Sequence, residues 1–173
     1  MNVLVLNGSP RPNGNTARMV ASLQEGAEAA GHSVSVFEVA HMDISGCRAC
    51  EYCHGRGAGK CAIDDDMSQI YGVLANADVL VFASPIYYHG FSGQLKCVID
   101  RFYSAAYPQR PERLRKAACI LCSGASDQYD GALYSYRNDF LGYLGLEDRG
   151  VITVAGSASG RDLATASELG RSL

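Results

Sequence analysis

Apolar residues fall in short blocks separated by polar or glycine-rich turns, and successive blocks alternate between two periodicities. Val3 to Leu6 is a fully apolar run ending at Asn7-Gly8, the pattern of a strand buried on both faces. After a Pro- and Gly-rich loop, Met19, Val20, Leu23, Ala27 and Ala30 recur at helical spacing, and Gly31 ends the pattern. Val34, Val36, Phe37 and Val39 predict a second strand. A cysteine-rich loop follows, and then Asp64-Asp65-Asp66, expected to cap a helix whose apolar side is Met67, Ile70, Tyr71 and Leu74. Val79 to Ala83 reads as the third strand, with Leu95, Val98, Ile99 and Phe102 marking the helix after it. Ala117 to Cys122 reads as the fourth strand, Leu133 to Leu146 as a helix, Val151 to Val154 as the fifth strand and Asp162 to Leu169 as a last helix.

Strands alternating with helices imply right-handed crossovers and a parallel sheet covered on both faces. The expectation is one α/β domain over residues 1–173, a five-stranded sheet in order 2-1-3-4-5, with a cysteine-rich insertion at 46–63. In such sheets ligands bind beyond the carboxyl ends of the strands, where strand order reverses. That rule selects the loops at 7–16, 84–93 and 123–130.

Composition narrows the function classes. A 47% hydrophobic and 19% charged chain has globular character, and a net charge of −3 with mixed signs gives no footprint for nucleic acid or an anionic membrane. No apolar run reaches the roughly 18–20 residues of a membrane helix, and the first ten residues read as a strand rather than a signal peptide. Seven cysteines without an export signal point to the reducing cytoplasm. Cys97, Cys119 and Cys122 stand apart in apolar stretches and read as buried small hydrophobes.

The first loop, Asn7 to Thr16, carries hydroxyls at Ser9 and Thr16, amides at Asn13 and Asn15, a cation at Arg11, and opens onto a helix start that includes Ala17. Unpaired N–H groups and the positive dipole end of a helix attract phosphate. The GxGxxG dinucleotide fingerprint and the lysine-bearing nucleotide loop are both missing. A phosphate held by hydroxyls and amides suits a monophosphate without Mg²⁺, hence FMN rather than ATP; the plainer reading is a Gly/Pro turn with a Thr cap. In the second loop Pro85, Ile86, Tyr87 and Tyr88 offer flat apolar surface for a flavin ring, while His89 is either a donor to the ring or simply solvated.

Cys47, Cys50, Cys53 and Cys61 form a compact Cys-x2-Cys-x2-Cys-x7-Cys block. The triplet suits three corners of a four-iron four-sulfur cubane, whereas zinc sites more often use two separated pairs. Free thiols or a labile disulfide are the alternatives.

These motifs, Ser-Pro-Arg-x-x-Gly-Asn-Thr at 9–16, Ser-Pro-Ile-Tyr-Tyr through Ile-Asp-Arg at 84–101 and the cysteine block before Asp65-Asp66-Met67, resemble those of NADPH-dependent FMN reductases and iron–sulfur flavoproteins, flavodoxin-like three-layer sandwiches. The resemblance covers residues 3–101. It implies that Ser9, Arg11, Asn15 and Thr16 hold the FMN phosphate, that residues 85–88 line the ring, and that Ser123 and Gly124 close its far side. It further implies an oxidoreductase passing electrons, with NAD(P)H as donor, to a small acceptor, and a homodimer or homotetramer. With a cluster present, the expectation becomes a two-centre carrier fed by ferredoxin. A flavin-binding module without turnover is the reading from another class.

Overall fold

In a computed structural model describing residues 1–173, the apolar runs pair as five parallel strands: β1 (Asn2–Asn7), β2 (Ser33–Glu38), β3 (Val79–Tyr87), β5 (Lys116–Ser123) and β6 (Glu147–Ala155), in the order β2-β1-β3-β5-β6. A sixth, two-residue strand, β4 (Gly90–Phe91), pairs antiparallel with the end of β3 and lies off this path. The parallel order is the one expected, and β4 is the addition. Register is continuous through the centre: Val5 lies between Val36 and Val81, and Leu80 faces Ala117.

Alternation along each apolar run divides it between two cores. Val3, Val5, Val79, Val81 and Ile120 pack under α1 (Asn15–Ala29) and α5 (Gly160–Ser172). Leu4, Leu6, Leu80, Phe82 and Leu121 face the opposite layer, which contains α2 (Met67–Leu74), α3 (Gly93–Arg101) and α4 (Asp130–Ser135). Helices α1 and α5 touch backbone to backbone. A Cβ on Gly26 would stand 1.9 Å from the Ser167 carbonyl oxygen, so only glycine fits there. No helix is long and apolar enough to cross a membrane.

Three elements depart from the sequence expectation. The acidic run caps α2 through Asp65 rather than through Asp66, the N-cap residue: the Asp65 side chain accepts from the Met67 N–H at 3.1 Å, whereas Asp66 accepts from no backbone amide of the helix and only from the Gln69 side chain. Asp66 also accepts from the Asp43 N–H, and Asp65 pairs with Arg101 as well. The segment after α4 winds as a π-helix over Tyr136–Tyr143, whose wider turn puts Tyr136 and Phe140 on the buried side. Phe140 rests on Phe82 with ring centroids 4.2 Å apart, and the Tyr136 hydroxyl donates to Asp148 at 2.8 Å. Burial and the neighbouring Asp148 carboxylate push the Tyr136 hydroxyl far above its ordinary pKa. Finally, β3 runs past the expected end at Ala83, so Pro85 pairs with Cys122 inside the sheet and the second loop is a hairpin.

Candidate active site

The carboxyl ends of β1, β3 and β5 open onto a single cleft of about 250 Å³. Ser9, Arg11, Asn15, Thr16, Pro85, Ile86, Tyr87, Ser123 and Gly124 line it, as expected from the sequence, and Gly14, Cys122 and Gly156 join them. Gly156 belongs to the loop after β6, which the strand-reversal rule did not select. Cys122 was legible only as a core residue; it is one, and its strand position also turns it to the cleft wall.

The loop after β1 is held from behind. Asn7 accepts from the Ser9 N–H at 3.0 Å and donates to Glu38 at 2.7 Å, linking the loop to the edge strand. The Gly8 N–H donates to Ala83 and its carbonyl accepts from the Ser92 hydroxyl at 2.8 Å. A Cβ on Gly8 would stand 2.5 Å from that hydroxyl, so this crossing too requires glycine. The Ser9 and Thr16 side chains are both buried. Helix α1 has no side-chain cap; its first satisfied amide is Arg18, donating to Gly14, and the N–H groups of Asn15, Thr16 and Ala17 have no acceptor in the chain. Burial pushes the Cys122 thiol up, and Thr16 offsets part of that shift by hydrogen bonding.

Four expected contacts are placed differently. The Asn15 side chain is engaged with the loop before α5 on both its donor and its acceptor, which leaves it a strut rather than a free amide. Asn13 is exposed and lines an outward groove with Pro10 to Gly14, because the loop turns its back there. Ala17 lies within α1 off the cleft lining and offers only its N–H. Tyr88 is fully exposed at the hairpin tip, where Tyr88 (φ 50°) and His89 (φ 63°) are both left-handed, as a tight two-residue turn demands. His89 gives its carbonyl to the Ala132 N–H, docking the hairpin on α4.

The cysteine block folds over α3. Cys47, Cys50, Cys53 and Cys61 line one small cavity of about 20 Å³ together with Arg101 and Tyr103. All are free thiols, and no three ligating side chains are close enough to hold a single metal ion. Three residues of this segment, Ala49, Glu51 and Ala58, have left-handed φ values of 46–56°. Ala49 donates its N–H to the Cys47 sulfur at 3.4 Å. Burial pushes the Cys53 thiol up. Cys97, expected in the core, is half-buried and faces Gly46 at the edge of this segment.

A buried ion pair anchors the block. Arg101 grips Asp65 through both Nη atoms, at 2.8 and 3.1 Å, and also donates to the carbonyls of Ser45 and Ile63. Desolvation opposes the charge on Asp65, yet hydrogen bonds from Arg101 and from the Ser45 and Met67 N–H groups hold its carboxyl below the usual range. Sequence reading placed Arg101 only within a family motif; its role depends on three loop positions far away in the chain.

This geometry, a doubly wound sheet with unpaired helix-start N–H groups and a hairpin wall at its strand-reversal point, is that of the flavodoxin-like class. The NADPH-dependent FMN reductase family matches residues 1–160, and the chain belongs to it, a family of flavin-dependent oxidoreductases. An iron-sulfur flavoprotein of Methanocaldococcus jannaschii is 35% identical over 101 residues, 58% of this chain and 51% of that protein. An iron-sulfur flavoprotein of Archaeoglobus fulgidus is 28% identical over 98% of this chain and 77% of its own. The chain thus spans about half the length of the first of these relatives. An NAD(P)H:quinone oxidoreductase from Methanothermobacter marburgensis shares the fold with a TM-score of 0.75, at 22% identity over 99% of this chain and 96% of that one.

Proposed function

We propose that the chain is an FMN-dependent oxidoreductase that passes electrons, with NAD(P)H as donor, to a small acceptor such as a quinone, a nitroaromatic or a second flavin. The observation that carries this reading is the anion seat: three unpaired N–H groups at the start of α1 beside two buried hydroxyls. A phosphate monoester there satisfies the Asn15, Thr16 and Ala17 amides and the Ser9 and Thr16 side chains, with Arg11 adding charge at the rim. Asn13 flanks the entrance from outside. Pro85, Ile86 and Tyr87 give a planar ring one wall, with Tyr88 beyond it at the tip, and Ser123 and Gly124 give it the other. FMN, when bound, supplies the electron chemistry, and the chain supplies binding and orientation. None of the twelve lining residues is a carboxylate or a histidine, so no proton shuttle is assigned. Calorimetric titration of the flavin-free protein with FMN, followed by steady-state NAD(P)H oxidation, tests this. Failure to bind FMN overturns the reading, and binding without turnover leaves a flavin-binding module.

A second reading rests on the four thiols around one cavity. An all-thiol donor set suits an iron–sulfur centre, and a cubane asks each thiolate to reach a different iron rather than one shared ion. In this reading Cys47, Cys50, Cys53 and Cys61 ligate one four-iron four-sulfur cluster, the segment spreading to admit it, and the chain is a two-centre electron carrier fed by ferredoxin. A homodimer or homotetramer completes the enclosure of the flavin. Anaerobic preparation should show broad absorption near ~400 nm beyond the flavin bands and about four irons per chain. Cys50→Ala should remove that iron and spare FMN; iron-free protein after reconstitution would leave the cysteines as thiols.

A further inference from the structure

The loop after β1 and the hairpin wall meet behind the cleft at one wholly buried side chain, Ser92, the N-cap residue of α3. Its hydroxyl accepts from the Leu95 N–H at 3.3 Å, which caps the helix, and donates to the Gly8 carbonyl at 2.8 Å, 84 positions away. Its own N–H donates to the Ser84 hydroxyl at 2.9 Å, and that hydroxyl donates to the Pro85 carbonyl at 2.7 Å. A continuous run of hydrogen bonds thus joins Gly8, in the loop that carries the anion seat, to Pro85, which lines the cleft on the ring side. Ser84 is wholly buried as well, and neither hydroxyl is left without a partner. The run has no slack at Gly8. A Cβ there would stand 2.5 Å from the Ser92 hydroxyl and 2.7 Å from the Leu95 Cβ, and the Gly8 N–H is itself held by the Ala83 carbonyl.

We propose that Ser92 is a positioning residue that couples the two halves of the cleft, so that an anion at the start of α1 and a planar ring against Pro85 to Tyr87 bind cooperatively. The inference rests on the flavin reading of the cleft and adds to it a residue that touches no ligand. A buried, fully satisfied network is stiff, so a ligand that fixes one end lowers the ordering cost left to a ligand at the other. The coupling is reciprocal: the factor by which phosphate tightens ring binding is the factor by which the ring tightens phosphate binding. A molecule carrying both groups gains from it, and riboflavin, which lacks the phosphate, does not.

The test titrates the flavin-free protein with riboflavin, followed by its fluorescence, with and without saturating inorganic phosphate. Wild type, Ser92→Ala and Ser84→Ala are compared, with far-UV circular dichroism as the measure of folding. Phosphate should tighten riboflavin binding about fivefold or more in wild type. In each variant phosphate and riboflavin should still bind singly, and the gain from phosphate should fall below about twofold. A merely structural serine would lower stability in urea and leave the gain at its wild-type size, and that result overturns the proposal. Where the alanine variants do not fold, Ser92→Cys, which keeps a weaker donor in a similar volume, should cut the gain by about half or more; a full gain in that variant overturns the proposal. Wild type that binds FMN yet shows no gain from phosphate overturns this inference alone. Wild type that binds neither FMN nor riboflavin overturns the flavin reading, and the inference falls with it.

Discussion

The Asn15 side-chain amide donates to the carbonyl of Gly156 at 2.6 Å, joining the first turn of α1 to the loop that follows β6. Its oxygen accepts from the Ala158 N–H at 3.0 Å, so both halves of the amide are committed. The residue therefore shapes the cleft before any ligand arrives. Asn15→Ala should lower stability by about 1–3 kcal/mol, the net loss of two hydrogen bonds that water partly reaches, at roughly 0.5–1.5 kcal/mol each. FMN affinity should fall with it, and Asn15→Asp, which keeps the acceptor, should recover part of the stability. Urea unfolding of the three flavin-free proteins checks the order.

Removing the two buried hydroxyls acts on the ligand more than on the fold. Ser9→Ala with Thr16→Ala should weaken FMN binding by about 2–4 kcal/mol, the loss of two hydrogen bonds to a charged group. Isothermal titration should show that loss. Full affinity in the double variant would move the phosphate elsewhere.

The hairpin tip holds two bulky residues in a left-handed conformation that asparagine and glycine adopt more easily. Tyr88→Asn with His89→Gly should therefore stabilise the protein by about 1 kcal/mol. Because Tyr87 lines the cleft and Tyr88 projects away from it, Tyr87→Ala should perturb flavin fluorescence more than Tyr88→Ala. Equal effects would place the tip against the ring.

Acid should release the cysteine segment through Asp65. Its folded pKa lies below the ordinary carboxylate value, so its stabilising contribution is complete above the unfolded value of about 4. That contribution is lost as pH falls through the lower, folded value. Asp65→Asn should cost about 3–5 kcal/mol at neutral pH by leaving a buried guanidinium without its charge partner. It should also flatten the acid limb of a stability–pH curve measured by urea unfolding between pH 7 and 3.

Much of this was legible in the sequence for physical reasons that differ by region. Val3–Leu6 and Val79–Ala83 read as central strands because a sheet covered on both faces needs unbroken apolar runs, and five such strands fit the doubly wound order 2-1-3-4-5. Gly31 marked the end of α1 through its left-handed φ of 80°. The π-helix at Tyr136–Tyr143 was not legible, since its apolar spacing also fits an ordinary helix and only packing against Phe82 separates the two. Pro85 reads as a turn residue in any local analysis, yet β3 continues through it. The second role of Asn15 and the grip of Arg101 on Ser45 and Ile63 depend on partners 141, 56 and 38 positions away. No local pattern carries such contacts.

The cleft draws its walls from the ends of four strands, from Ser9, Arg11 and residues 14–16, and from 85–87, 122–124 and Gly156. A molecule seated there is shared by segments that have no covalent reason to stay together. Its concentration then sets how long the chain survives intact. At a hundredfold excess over Kd, occupancy adds about 2.7 kcal/mol, which lowers the unfolded fraction roughly a hundredfold. Ligand-free protein is then the form more open to proteolysis, because its unfolded population is the larger by that factor.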